Sequence, residues 1–110
     1  MSLDFSLKKV MPVYVFENNM THNMTPMARA AGVYDCLWHP EIYGTNGVTL
    51  AKDLIEPLQA GVRNMVINVE ELKKLNPTNG WGNYESFLEF VRDCRDACLL
   101  NPDAVVEVSR

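Results

Sequence analysis

The first residues of the chain constrain the fold most. From Leu3 the odd positions read Leu3, Phe5, Leu7, Lys9, Met11, Val13 and Val15, with Asp4, Ser6 and Lys8 between them. A two-residue period of this kind belongs to a strand with one face on a core. Such a strand needs a ladder partner and a cover. Pro12 cannot donate to a ladder, and Tyr14 and Phe16 load the even side, so an edge position, a bulge or a break is predicted near Pro12. The partner is expected at the other end of the chain. Asn101-Pro102-Asp103 stops a helix, and Ala104-Val105-Val106-Glu107-Val108 is a β-branched run that should pair antiparallel with the first strand. The expected fold class is α+β: N-terminal and C-terminal strands in a small antiparallel sheet, with about four helices between them, in a single domain. A sheet that thin is marginal, so helices must cover it or a second copy must extend it, and a homo-oligomer is expected.

The middle of the chain carries helical signals. After a polar turn at Glu17-Asn18-Asn19, Thr21 or Thr25 can cap a helix over residues 25–31, which Gly32 is suited to stop. Residues 33–38 fit a short helix or an extended segment equally, and 40–48 read as a loop. Asp53 with Glu56 forms a capping-box pair that places Pro57 in the first turn of a helix over 53–66, with Leu54, Ile55, Leu58, Val62 and Met65 on its apolar face. Asn68 with Glu71 repeats that logic for a short helix ended by Asn76-Pro77. Asn83 then caps the best helix, whose apolar face holds Tyr84, Phe87, Leu88, Val91, Cys94, Cys98 and Leu99.

Composition excludes several partners. The ten Lys and Arg are scattered over a chain of net charge −4, so no basic stripe exists to neutralise a phosphate backbone, and no direct nucleic-acid binding is expected. The fourteen carboxylates are too sparse for a mimic of nucleic acid. No apolar run approaches the ~20 residues that span a bilayer, and Met1-Ser2-Leu3-Asp4 does not begin a signal peptide. No membrane contact and a cytoplasmic location are expected. Three cysteines, Cys36, Cys94 and Cys98, argue for free thiols over a disulfide framework. With His39 they make four soft ligands on paper, but Cys94 and Cys98 fall on an apolar stripe, where Cys acts as a small hydrophobe. No metal and no cofactor are expected.

Two short motifs stand out as a ligand site. Asn79-Gly80-Trp81-Gly82 frames an indole with glycines, ahead of the N-terminus of a helix that starts near Tyr84. It can equally be a turn whose Trp folds into the core. Thr21-His22-Asn23 groups three hydrogen-bonding side chains, with His22 able to exchange a proton near neutral pH; capping by Thr21 or Asn23 explains the same residues. Leu37-Trp38-His39-Pro40 adds a second Trp, which either lines a site or pins a loop. The candidate ligand-binding residues are Thr21, His22, Asn23, Trp38, Asn79, Gly80, Trp81 and Tyr84. No nucleophile elbow, phosphate loop or zinc-protease motif is present, so no catalytic residue is assigned.

The run Thr21-His22-Asn23-Met24, Met27-Ala28, Ala31-Gly32-Val33-Tyr34, Leu37-Trp38, Pro40-Glu41, Ala51-Lys52-Asp53-Leu54-Ile55, Asn76-Pro77, Asn79-Gly80-Trp81-Gly82-x-Tyr84-Glu85 and Val108-Ser109-Arg110 resembles a family of small uncharacterised proteins encoded by phages and bacteria. Pro26 and the longer stretch Tyr43–Val48 depart from that pattern. The resemblance implies a phage or bacterial setting and does not point to a function. Taken together, a non-enzymatic accessory protein is expected, one that sequesters a small polar, nucleotide-like ligand or blocks a host defence protein. The alternatives are a small hydrolase or lyase using His22 with a carboxylate such as Asp35 or Glu85, and a structural oligomer.

Overall fold

A computed structural model describes residues 1–9 and 13–110. The alternating N-terminal run becomes strand β1 (Ser2–Lys8), the centre of a three-stranded antiparallel sheet of order β2-β1-β3. Leu3, Phe5 and Leu7 are fully buried on one face, while Asp4, Ser6 and Lys8 lie on the other. The C-terminal run forms β3 (Val105–Ser109) and pairs antiparallel with β1, placing Val106 opposite Leu7 and Val108 opposite Phe5. The expected α+β class holds, with strands near both ends in one sheet.

One strand was unexpected. Glu17, Asn18 and Asn19, expected as a turn, lie within β2 (Tyr14–Thr21), which pairs with β1 from Ser2↔Thr21 to Lys8↔Tyr14. Their poor strand propensity is tolerated because β2 is an edge strand and Glu17 and Asn19 lie on the open face. The register puts Phe16 and Met20 on the core side, with the Phe16 ring edge-on to Phe5 at 6.4 Å. The ladder shifts register between Leu7 and Lys8. The feature expected at Pro12 lies outside the described residues.

The helices are α1 (Thr25–Ala31), α2 (Tyr34–Trp38), α3 (Ala51–Ile67), α4 (Val69–Lys73) and α5 (Tyr84–Leu100). Short 3-10 turns occupy His22–Met24 and Pro40–Tyr43. Gly32 ends α1 in the left-handed conformation, φ +81°, as expected. Residues 33–38, open in sequence, form helix α2 from Tyr34, with Val33 leading into it. Asn83 caps α5, its Oδ1 accepting from Ser86 N at 2.8 Å.

Two expected caps were misplaced. Helix α3 begins at Ala51, ahead of Asp53, because Ala51 N–H donates to Ala104 O (2.8 Å) and Lys52 N–H to Pro102 O (2.9 Å). Tertiary partners thus satisfy the first amides, Asp53 accepts from Leu50 N at 2.9 Å, and Pro57 falls inside the helix. Asn68 does not cap α4 through its side chain; its amide donates back to Asn64 O at 3.0 Å. Leu99 is exposed instead of joining the α5 core face, which comprises Phe87, Phe90, Val91, Cys94 and Cys98.

Helices α3 and α5 pack on one another, and α5 rests on the core face of β1 and β2. Among the described residues no helix is long and apolar enough to cross a membrane. The opposite face of the sheet carries Asp4, Ser6, Lys8, Glu17 and Asn19.

Candidate functional site

Strand β2 ends at Thr21, and the chain turns through His22–Met24 into α1. Thr21 keeps an extended backbone, and its Oγ1 accepts from Asn23 N at 3.3 Å. Met24 is fully buried and roots the turn. A second segment meets this one from the far side of the sequence. Asn79 Oδ1 accepts from Trp81 N at 3.0 Å, and Gly80 and Gly82 take φ of +80° and +93°. A Cβ on Gly82 would stand 2.7 Å from Met24 Sδ and 3.0 Å from Thr21 Cγ2. Only glycine lets this backbone lie against Thr21 and Met24.

That contact stations Trp81 beside Thr21-His22-Asn23. An open cleft of about 710 Å³ results, lined by Met1, Ser2, Asn19, Thr21, His22, Asn23 and Trp81. The indole is 70% exposed. Among the described residues no carboxylate lines this cleft, although the chain carries a net charge of −4. Another cleft, of about 640 Å³, lies where Lys9 and Val13 face residues 100–104; the described residues that line it are mostly aliphatic and include neither an aromatic ring nor an imidazole. The His22–Trp81 cleft therefore has the richer recognition chemistry.

Behind His22 stands a ladder of rings. The His22 and Trp38 centroids are 6.2 Å apart, and Trp38 stacks on Tyr34 at 5.5 Å with 14° between planes. The Arg29 guanidinium lies 4.1 Å from the Tyr34 ring, and His39 meets the same ring edge-on. Glu41 ties the rim together, 3.3 Å from His39 Nδ1 and 3.6 Å from Arg110, which also donates to Trp38 O at 3.0 Å. A hydrogen bond from its own backbone holds the Glu41 carboxyl below its ordinary range against the opposing desolvation, and His39 and Arg110 lower it further. Among the described residues, the buried His22 Nε2 and Trp38 Nε1 have no hydrogen-bond partner.

The eight candidate residues thus divide. Thr21, His22, Asn23 and Trp81 share the cleft. Trp38, 3% exposed, backs His22 from the core. Asn79 and Gly80 shape the turn that holds Trp81. Tyr84 is buried away from the cleft lining, its hydroxyl donating to Met65 O at 2.7 Å near the end of α3. His22 makes no hydrogen bond or ion pair with Asp35 or Glu85 among the described residues, and Glu85 instead lies 3.9 Å from Lys73.

Sequence reasoning missed Ser2, Asn19 and the Arg29–Tyr34 pair. The first two enter the cleft through the Ser2↔Thr21 and Asp4↔Asn19 pairings, which a turn at 17–19 hides. Arg29 and Tyr34 lie five apart across the Gly32 stop, a spacing with no periodic signal. The three cysteines are buried, free thiols. Comparison with protein-family models, with curated proteins and with solved structures finds no match to this chain.

Proposed function

We propose that this protein is a non-enzymatic binding protein whose cleft takes a small, planar, polar ligand of nucleotide kind. The observation that carries the reading is an exposed indole held beside Thr21, His22 and Asn23 in a cleft without a carboxylate. Trp81 offers a face for stacking, worth about 1–3 kcal/mol per base. Thr21 and Asn23 each supply donors and acceptors, and His22 adds a ring nitrogen. With no carboxylate among the described residues that line the cleft, an anionic group meets no like charge in direct contact. In the phage or bacterial setting that the resemblance implies, the role would be accessory, sequestering a host defence nucleotide signal.

The test is thermal stability in the presence of a nucleotide panel. A ligand at about a hundred times its Kd stabilises a native-state binder by about 2.7 kcal/mol, which raises the Tm of a domain this size by roughly 10 °C. Trp81→Ala should weaken binding by about tenfold or more. No shift with any nucleotide, and wild-type behaviour of the His22→Ala, Trp81→Ala double variant in every binding assay, would overturn the reading. Among the described residues no acid pairs with His22, as the hydrolase or lyase alternative needs.

A further inference from the structure

Among the described residues β2 forms an open edge of the sheet, and hydrogen-bond parity identifies which groups it presents. Val106 N–H donates to Thr49 O at 2.8 Å, so Val106 points away from β1. In an antiparallel ladder both polar groups of a residue face the same neighbour, and successive residues alternate. Leu7, opposite Val106, must therefore turn its groups toward β2, as must Phe5 and Leu3. The bond from His22 N–H to Met1 O, 3.4 Å, fits the same alternation. It follows that Phe16, Asn18 and Met20 pair with β1, while Glu17, Asn19 and Thr21 direct their main-chain groups off the sheet. Asn18 Oδ1 occupies the Asn19 N–H at 2.9 Å; among the described residues, Glu17 N–H and C=O and Asn19 C=O have no partner. The matching edge of β3 is partly taken by Thr49.

Charge selects the occupant. On the open face Glu17 stands at this edge and Asp4 lies one strand in, opposite Asn19. On the helix side, Glu89 and Asp93 of α5 flank a groove of about 110 Å³ that Asn18, Asn19 and Met20 line from the sheet. None of these four carboxylates forms an ion pair among the described residues. A second copy pairing β2 with β2 would bring the same acids together, at a like-charge cost. We propose that β2 binds an extended basic segment of a partner protein by strand addition, with Lys or Arg side chains reaching the carboxylates on both faces. Main-chain bonds supply attachment and the acids supply selectivity. Asn19 borders both this groove and the cleft, so a docked strand ends beside the ligand site.

The experiment is fluorescence anisotropy with a short labelled peptide of alternating Lys and Val. Its controls are the Glu/Val counterpart and the Lys/Val peptide N-methylated along its backbone. The Lys/Val peptide should bind at least about tenfold more tightly than either control. Glu89→Gln with Asp93→Gln should weaken it by about tenfold. Glu17→Pro removes an outward N–H that the β1 ladder does not use, so it should fold by circular dichroism and weaken binding beyond Glu17→Gln. Equal binding of the N-methylated peptide would overturn strand addition in favour of charge alone, and this arm decides the matter even if Glu17→Pro does not fold. A dimer in solution that Glu17→Pro dissociates would overturn the proposed occupant and assign the edge to a second copy.

Discussion

Gly82 is the hinge of the site, and its replacement by alanine has a calculable effect. Two costs combine. An L-residue forced to φ near +93° loses about 1–2 kcal/mol relative to its ordinary wells. The new Cβ would also stand 2.7 Å from Met24 Sδ and 3.0 Å from Thr21 Cγ2. Met24 is fully buried and has little room to yield, so overpacking adds about 1–3 kcal/mol. Gly80, two residues earlier at φ +80°, has nothing within 4 Å of such a Cβ and isolates the backbone cost alone. Gly80→Ala should cost about 1–2 kcal/mol and Gly82→Ala about 2–5 kcal/mol, or roughly 4–8 °C against 8–20 °C in Tm. Urea denaturation of both variants measures the difference, and acrylamide quenching of Trp81 in a Trp38→Phe background reports whether the loop has left its seat. Equal costs for the two substitutions would refute the docking of this loop on Thr21, and with it the placement of Trp81 beside His22.

Two further outcomes follow from the core. A Cβ on Gly61 would overlap Val33 Cγ1, so Gly61→Ala should destabilise by about 1–3 kcal/mol despite alanine's advantage of about 1 kcal/mol inside a helix. In a double-mutant cycle Val33→Ala should recover most of that loss, and a stabilising Gly61→Ala would deny the contact. Burial pushes the Cys36 and Cys98 thiols up to about 12 and Cys94 well above its ordinary value. Because the folded state favours the neutral thiol, this contribution is complete below the unfolded thiol value, about 8.5, and drains away as pH rises toward about 12. Unfolding free energy should therefore fall steadily above pH ~9, with slow thiol labelling of the native protein at pH ~8; a flat profile to pH ~10.5 or rapid labelling would contradict the burial.

The parts of the fold legible in sequence are those where local pattern and tertiary demand agree. Leu3, Phe5 and Leu7 alternate because β1 is central and half-covered, and Asn83 caps α5 in the way its chemistry suggests. The failures occur where distant segments decide. Nothing near Ala51 in sequence announces a helix start; its amide is satisfied by Ala104, more than fifty residues away. Glu17-Asn18-Asn19 reads as a turn by composition and is a strand because β1 offers it a ladder and no second sheet covers its outer face.

The site divides on the same physical line. Thr21-His22-Asn23 and Asn79-Gly80-Trp81-Gly82 stand out in sequence because polar and glycine-framed residues exceed what a core needs, but their meeting depends on Gly82 touching Thr21, which spacing does not encode. The distribution of charge is equally invisible to a total of −4. Carboxylates are missing from the cleft and gather along the β2 edge, where Asp4, Glu17, Glu89 and Asp93 stand without cationic partners among the described residues. Two adjoining surfaces thereby favour opposite charges, an anion beside Trp81 and a basic strand on β2, with Asn19 in both. If the two proposals hold, ligand and partner are coupled through that residue, and the coupling must be reciprocal: a nucleotide that strengthens peptide binding must itself be bound more tightly by the same factor when the peptide is present. Asn19→Ala should reduce that factor toward one, while a factor that Asn19→Ala leaves unchanged would mean that the coupling runs elsewhere.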